Sequence, residues 1–324
     1  MKVKLIYRFP LARNFSIENV FNTLIPFFKI RIEKYTLKSL YDFSVFKNLK
    51  DNSTDIYHIT GSCNYVALAL PKGKTVLTIH DIGHYERSLS QPKKSIYKLF
   101  NYTLPLKRVG MVTVVSEFTR EKVLSNFKIK PEKVVVIPNP IQPHFKPSKK
   151  AFNVDKPTIL QIGSGKQKNI ENLIEAVKGL SIKLLLIRGE NKSLEERLNA
   201  ENIEYEWLSH ISHQGVYEAY CQCDMLYFAS DYEGFGLPII EAMAVGRSII
   251  TSNFAPMSNL GKDVAWLVNP KNPLETKTAI LDIIANESLR NQRIEKGLEQ
   301  VKQYYPEGVA QAYETVYKSL INEN

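Results

Sequence analysis

The sequence predicts an α/β protein built from two doubly wound domains, and three observations predict it. Short apolar runs alternate with longer helical patterns, and they do so twice along the chain. Apolar strands separated by helices are those of a parallel sheet covered on both faces. A length of 324 residues suits two domains of about 150 residues, each able to bury a core. Between the halves lies "PNPIQPHFKPSKKAFNVDKP", with five prolines in twenty residues. That composition marks a linker and puts the boundary near residue 150.

In order, the first half offers buried strands at 3–7, 55–59, 75–80, 111–116 and 134–138. The second half offers them at 158–163, 183–188, 225–230 and 248–252, with helices at 169–180 and 214–223 between. Ligands of open α/β sheets bind beyond the carboxyl ends of the strands. Two such domains would face one another across a cleft. Neither half has Gly-x-Gly-x-x-Gly after its first strand, which argues against a dinucleotide oxidoreductase.

Composition narrows the class. No apolar run approaches the ~20 residues that span a bilayer, and "MKVKLIYRFPLARNF" has too short an apolar core for a signal peptide. Three cysteines argue against a disulfide framework and fit a reducing, cytoplasmic setting. Charge is divided unevenly. Residues 1–150 carry 26 Lys+Arg and 10 Asp+Glu, a balance of +16, whereas the remainder carries 17 and 23, a balance of −6. The first half therefore faces something anionic, or is a basic surface with no partner. Nucleic acid is the weaker partner, because no DNA- or RNA-binding module is present.

The stretch "DYEGFGLPIIEAMAVG" carries the chemistry. A strand ends just before it, "DYEGFG" is a turn, and "LPIIEAMAVG" reads as a helix with Pro238 at its first position and Gly246 as its stop. Free amides at the helix start, from about Leu237, together with the helix dipole suit phosphate oxygens. Gly234 and Gly236 let the backbone approach a ligand. Glu241, placed by this reading in the first helical turn, can accept from two sugar hydroxyls. Glu233 in the loop reaches another part of the same ligand. Helix-end charge compensation is the plainer role open to Glu241.

"EGFGLPIIEAMAVG" resembles the E-x7-E signature of the retaining glycosyltransferase family 4. The resemblance implies the GT-B fold, two Rossmann-like domains facing across a cleft with a C-terminal helix crossing back to the first. It implies domains at 1–150 and 151–305, with a returning helix at 306–324. It gives Glu241 the nucleotide ribose and places Glu233 beside the donor sugar, with Gly234, Phe235 and Gly236 forming the loop. "ILQIGSGKQKNIENLIEAV" resembles the family's strand–loop–helix ending in Arg-Lys-Asn. There Gly163, Ser164 and Gly165 form the loop and Lys168 contacts the diphosphate. The family's arginine is Gln167 here, so Lys166 or Arg188 is expected to supply the second cation. "VLTIHD" resembles the His-Asp element, which puts His80 near donor sugar and acceptor. "VVSEFTREKVLSNFKIKPEKVVVIPNPI" and the tail "YYPEGVAQAYETVYKSL" match in the same order.

Two departures stand out. Relatives carry paired glycines after the first strand, where this chain has "RFPLARNFSIENV". Arg13, Asn14 and Ser16 become candidates for an altered acceptor or phosphate contact. Asn259 stands where relatives often carry a glutamate.

The implied activity is transfer of a hexose-type sugar from a UDP- or GDP-sugar to a glycan or lipid-linked glycan, with retention of configuration. A GT-B epimerase or a non-catalytic sugar-nucleotide binder would share the fold. Departure of a nucleoside diphosphate asks for fixed donors and cations around its oxygens. His80, Glu233 and Lys168 are the catalytic candidates. The chain has no Asp-x-Asp to hold a divalent ion on the diphosphate, so a metal-independent clamp with no cofactor is expected. His210, His213, Cys221 and Cys223 have metal-ligand chemistry, but Cys-x-Cys on a helix points its sulfurs roughly 200° apart. Finally, segments 19–41 and 91–110 interleave Lys/Arg with Phe, Tyr, Leu and Ile. Such stretches suit an anionic membrane surface, so a peripheral position on the inner face of the membrane is expected. The alternative is amphipathic helices packed on the sheet, with Pro26 and Pro105 expected to interrupt any continuous helix.

Overall fold

The protein is described from a computed structural model, which covers residues 1–10, 16–49 and 51–322. Arg13 and Asn14 lie outside the described residues. Contacts divide the chain into two units, Met1–Pro140 with Tyr304–Asn324, and Ile141–Gln303. The second unit thus begins ten residues before the compositional boundary. Residues 141–150 pack on it: Phe145 lies 5.6 Å from Tyr220, and Ser148 donates its N–H to Val245 O at 3.2 Å.

Unit 1 is a six-stranded parallel sheet: β1 (Lys2–Tyr7), β2 (Arg31–Thr36), β3 (Ile56–Ile59), β4 (Thr75–Ile79), β5 (Met111–Val114) and β6 (Val134–Val136). Their spatial order is β2-β1-β3-β4-β5-β6. Every residue of β3 and β4 is buried, as expected for central strands covered on both faces. β2 lies at the edge and reads "RIEKYT", half-buried and polar. It falls within segment 19–41, which is therefore not one continuous amphipathic helix. Phe21 and Leu24 of that segment are fully buried, and Phe27, Phe28 and Ile30 pack against the same core.

The C-terminal helix Pro306–Asn322 belongs to unit 1. Its Val309, Tyr313, Tyr317 and Leu320 join Val3, Leu5 and Phe21 in one cluster, where each fully buried apolar side chain is worth about 1.5–3 kcal/mol. His58, fully buried in β3, fixes the helix's register. Its Nδ1 lies 2.6 Å from Tyr317 Oη and its Nε2 lies 2.7 Å from Thr78 Oγ1. Burial pushes the His58 pKa down to about 3, so the ring is neutral. Segment 91–110 is helical from Lys93 to Leu106, through a π-turn at Leu99–Thr103. The wider turn comes just before Pro105, so the proline does not interrupt the helix. A wider turn accommodates a residue that lacks an N–H and crowds the preceding carbonyl.

Unit 2 is also a six-stranded parallel sheet: β7 (Thr158–Ile162), β8 (Lys183–Ile187), β9 (Glu204–Trp207), β10 (Met225–Phe228), β11 (Ser248–Ser252) and β12 (Trp266–Val268). Its order is β12-β11-β10-β7-β8-β9. The order reverses between β10 and β7, so the loops that follow these two neighbours lead away in opposite directions and leave a crevice at their carboxyl ends. Among the described residues no helix is long and apolar enough to cross a membrane.

Candidate active site

The site in unit 2 grows from the two loops at that crevice. After β7, Gly163 adopts φ +99° and donates its N–H to Ile187 O at 2.9 Å. A Cβ on Gly163 would sit 3.0 Å from Lys168 Cε, so glycine lets the lysine fold back across the loop. Lys166–Lys168 form one tight turn, closed by Asn169 in the left-handed region at φ 51°. Asparagine tolerates that conformation because its short amide bonds locally. Here Asn169 Nδ2 donates to Ala229 O at 2.9 Å and to Asp231 Oδ1 at 3.0 Å, and Asp231 N donates to Gln167 O at 2.9 Å. The loops after β7 and β10 are thereby stitched into one body.

On that body two of the candidate residues meet. Lys168 Nζ lies 2.5 Å from Glu233 Oε1 and 4.3 Å above the Phe228 ring. Their side chains are 17% and 20% exposed, so the pair is only partly hydrated. Tyr232, Gly234 and Phe235 continue the turn, with Phe235 buried beneath it. Gly236, at φ +124°, precedes the helix Leu237–Val245, with Pro238 in its first turn. Gly246 stops it at φ +77°, donating its N–H to Ala242 O and Met243 O. This first turn follows directly on the loop that leaves the carboxyl end of β10.

Glu241 departs from expectation in one respect. It falls one residue beyond the first helical turn, and a neighbouring hydroxyl holds it in place. Tyr220 Oη, from the helix His213–Gln222, lies 2.9 Å from Glu241 Oε2 and 3.1 Å from Pro238 O. Burial raises the Glu241 pKa to about 7, and the Tyr220 bond partly opposes that rise. The Arg247 guanidinium donates to Tyr220 O at 2.8 Å and Cys221 O at 2.9 Å, and also to Val245 O and Gly246 O. It therefore caps two helix ends at once and locks Tyr220 beneath Glu241. Neither residue was singled out from the sequence. A buried arginine just after a helix-stopping glycine was the available signal.

Arg188 sits at the end of β8, beside the first loop through the bond from Gly189 N to Ser164 Oγ at 3.2 Å. Its Nε and Nη1 are buried without a partner. Burial lowers its pKa, but a guanidinium remains charged. Lys166 and Gln167 are exposed on the turn. Of the two cations expected there, Arg188 is the one whose charged nitrogens are buried without a partner among the described residues. Asn259 is exposed on the short helix Met257–Gly261, and its N–H donates to Pro256 O at 3.1 Å.

In unit 1, His80 follows β4. Its Nε2 lies 2.8 Å from Thr60 O, and a carbonyl only accepts, so Nε2 carries the proton and Nδ1 keeps a lone pair. Burial lowers the His80 pKa, which favours this neutral form. Gly61, at φ +136°, makes room: a Cβ there would lie 2.6 Å from His80 Cδ2. Ser16 begins the helix Ser16–Leu24. Among the described residues, no group of three or more His, Cys, Asp or Glu is arranged to hold a metal ion.

Two six-stranded parallel sheets, each in its own unit, and a cation–carboxylate pair on a glycine-rich crevice define a GT-B glycosyltransferase. Comparisons give the family. Residues 144–300 match the model for glycosyl transferases group 1, and residues 10–145 match that for glycosyltransferase family 4. The chain belongs to this family. It is 24% identical over 294 residues to the O-antigen chain mannosyltransferase B of Escherichia coli, covering 84% of this chain and 76% of that one. Among solved structures, sucrose-phosphate synthase from Thermosynechococcus elongatus superposes with a TM-score of 0.79 at 18% identity, covering both chains in full. Anabaena HepE, solved in complex with UDP and glucose, gives 0.79 at 14% identity, covering 98% of this chain and all of that one. At these identities the structures speak for the fold alone.

Proposed function

We propose that this glycosyltransferase moves a hexose-type sugar, with mannosyl as the first candidate, from a UDP- or GDP-sugar to a glycan or lipid-linked glycan acceptor, with retention and without a metal ion. The observation that carries the donor assignment is the Lys168–Glu233 pair on two loops joined by Asn169, beside the partnerless guanidinium of Arg188. An arriving diphosphate offers Lys168 oxygens in place of the Glu233 carboxylate and gives the unpartnered nitrogens of Arg188 acceptors. The first-turn amides of Leu237–Val245 add fixed dipoles. Glu241 accepts from the ribose hydroxyls. Glu233, released from Lys168, is placed beside the sugar.

As the bond from the anomeric carbon to the phosphate oxygen breaks, its electron pair goes to the diphosphate. The acceptor oxygen bonds the same face of the sugar, and its proton passes to the departing phosphate oxygen. Lys168 and Arg188 stabilise charge that grows only as the bond breaks, and such differential stabilisation accelerates the step. To unit 1 we assign the acceptor, and to His80 Nδ1 a hydrogen bond from a sugar or acceptor hydroxyl. The mannosyl preference and the glycan acceptor draw support from the name of the Escherichia coli relative. A peripheral position on the inner membrane face follows from a lipid-linked acceptor and the +16 balance of residues 1–150.

The test is a thermal-shift titration with UDP, GDP, ADP and dTDP, followed by transfer assays with the matching sugars and NMR of the product anomer. Binding at 100 times Kd adds roughly 2.7 kcal/mol of stability. One nucleotide should stabilise the chain, and Lys168→Ala and Glu241→Ala should both weaken that effect. An altered donor sugar formed without acceptor would point to an epimerase, and binding without turnover would point to a non-catalytic binder.

A further inference from the structure

Unit 1 carries an apolar surface that the glycosyl-transfer chemistry does not use. The loop before the short helix Val45–Asn48, together with the helical stretch from Lys93 to Leu106, walls an open cavity of about 620 Å³. Its rim is Tyr41, Phe43, Phe46, Ile96 and Phe100, with Leu99 alongside. Phe43 is 69% exposed, Tyr41 60% and Ile96 58%. Single exposed apolar residues are ordinary, but a contiguous cluster of aromatic and aliphatic side chains around one cavity marks an interaction site.

The exposure is built into the fold. Asp42 is buried between Tyr41 and Phe43, and its carboxylate accepts from Lys38 N and Ser44 N, each at 3.0 Å. Asp42 N in turn donates to Tyr65 Oη at 2.9 Å. These bonds pin the loop by its polar residue, and the aromatics on either side of it are the ones left exposed. On the helical side Lys93 lines the cavity, while Lys94 and Lys98, half-buried, lie over the Tyr85 ring at 4.8 and 5.8 Å. Lys38, Lys47 and Lys93 are exposed. Segment 91–110 contains five basic residues and no acidic one.

From this geometry we infer that the Tyr41–Phe46 loop and the Lys93–Phe100 face dock on the surface of an anionic lipid bilayer, with Phe43, Tyr41 and Ile96 entering the headgroup–acyl boundary and the lysines facing lipid phosphates. Apolar side chains ringed by lysines fit that boundary, where long basic side chains reach the phosphates while their stems stay in apolar surroundings. A second copy of this chain fits poorly. A two-fold contact through this patch would set its lysines against their own copies. The inference rests on the peripheral membrane position proposed above and names the surface that makes it; its test is separate from that of glycosyl transfer, because the surface lies in unit 1 and the test involves no donor.

The experiment is co-sedimentation of the full chain with mixed phosphatidylglycerol–phosphatidylcholine vesicles and with pure phosphatidylcholine vesicles. Phe43→Trp serves as a reporter, read against the unsubstituted chain. The chain should bind the anionic vesicles, and brominated acyl chains should quench the added tryptophan. Phe43→Ser/Ile96→Ser and, separately, Lys47→Glu/Lys93→Glu should each weaken binding by about tenfold or more, with the melting temperature held. Lack of binding by the unsubstituted chain would overturn the proposal. So would equal binding by both double variants, or an unquenched reporter. A concentration-dependent dimer in sedimentation velocity that the same variants abolish would assign the surface to a second copy instead.

Discussion

The two units share an architecture, yet their sites are built in opposite ways. In unit 2 the loops after β7 and β10 are joined by Asn169 and Asp231, and two proposed donor contacts are each held by a further residue, Lys168 by Glu233 and Glu241 by Tyr220, which Arg247 holds in turn. In unit 1 the described site is one histidine, pinned by Thr60 O and given room by Gly61. The diphosphate of a nucleotide sugar presents the same two negative charges to every enzyme that uses it, so a preorganised cradle suits it. An acceptor differs from enzyme to enzyme, and a sparse frame accommodates that. The comparison breaks if substitutions in the two units change the same kinetic quantity.

The largest effect is expected at Lys168. Lys168→Met removes a cation that meets charge developing on the leaving diphosphate. Losing one such contact lowers kcat by about 10²–10³. Nucleotide affinity should fall as well, because the bound diphosphate already carries charge. Kinetics at saturating donor, alongside nucleotide titration, separate the two losses. An unchanged kcat would remove Lys168 from the chemistry.

Gly61→Ala probes the other unit. At φ +136° an alanine is strained, and its Cβ would drive into the His80 ring. Misplacing a catalytic group by about 1 Å can cost 10²-fold. Turnover should therefore fall by roughly that factor while nucleotide affinity, set in unit 2, stays constant. If nucleotide binding fell in step, the division of labour between the units would be wrong.

Legibility in the sequence followed the same division. Central strands such as β4 and β8 are continuous apolar runs and were readable. The edge strand β2, "RIEKYT", and β9, "EYEW", were not, because a strand with only one neighbour carries charges on its open side and loses the apolar signature. Glu233, Glu241 and Lys168 stood out through spacing and glycine context. Tyr220 and Arg247 did not, since they act through contacts between separate helices that no local pattern records. The surface at 38–46 was caught only at residues 38–41, the end of the basic-aromatic segment, for a related reason. Phe43 and Phe46 occupy a loop and a single short turn, where neither periodicity applies, while residues 21–30 of the flagged segment proved to be largely core.

Glu241 sharpens the account of unit 2 through pH. Its folded pKa is near 7 against an ordinary 4.5, so between those values the folded chain holds a proton that the unfolded chain has lost. This stability is fully present below the unfolded value and disappears as pH rises through 7. Glu241→Gln removes the dependence, so the wild-type melting temperature should decline relative to the variant as pH is raised across that window. Nucleotide affinity should move the other way, because the ionised carboxylate is the stronger acceptor for ribose hydroxyls. The variant also serves as the control for titration of the nucleotide's own phosphate. Parallel curves for the two proteins would rule out Glu241 as the titrating group.

Tyr220→Phe tests the finest level of this arrangement and should have the smallest effect. The hydroxyl has one proton and two neighbours, Glu241 Oε2 and Pro238 O. When Glu241 is ionised, the proton points to the carboxylate. When Glu241 is neutral, its own proton can be donated to the Tyr220 oxygen, and the tyrosine turns to the proline carbonyl. The hydroxyl therefore serves both states but favours the ionised one, since a hydrogen bond to a charged acceptor is worth about 1.5–3 kcal/mol against roughly 1 for a neutral one. Phenylalanine deletes that difference while the ring stays seated, because Arg247 grips the backbone and not the hydroxyl. The pH midpoint for nucleotide binding should move upward, with affinity near neutrality lowered by about tenfold or less. A purely structural tyrosine would lower affinity equally at every pH and leave the midpoint where it was.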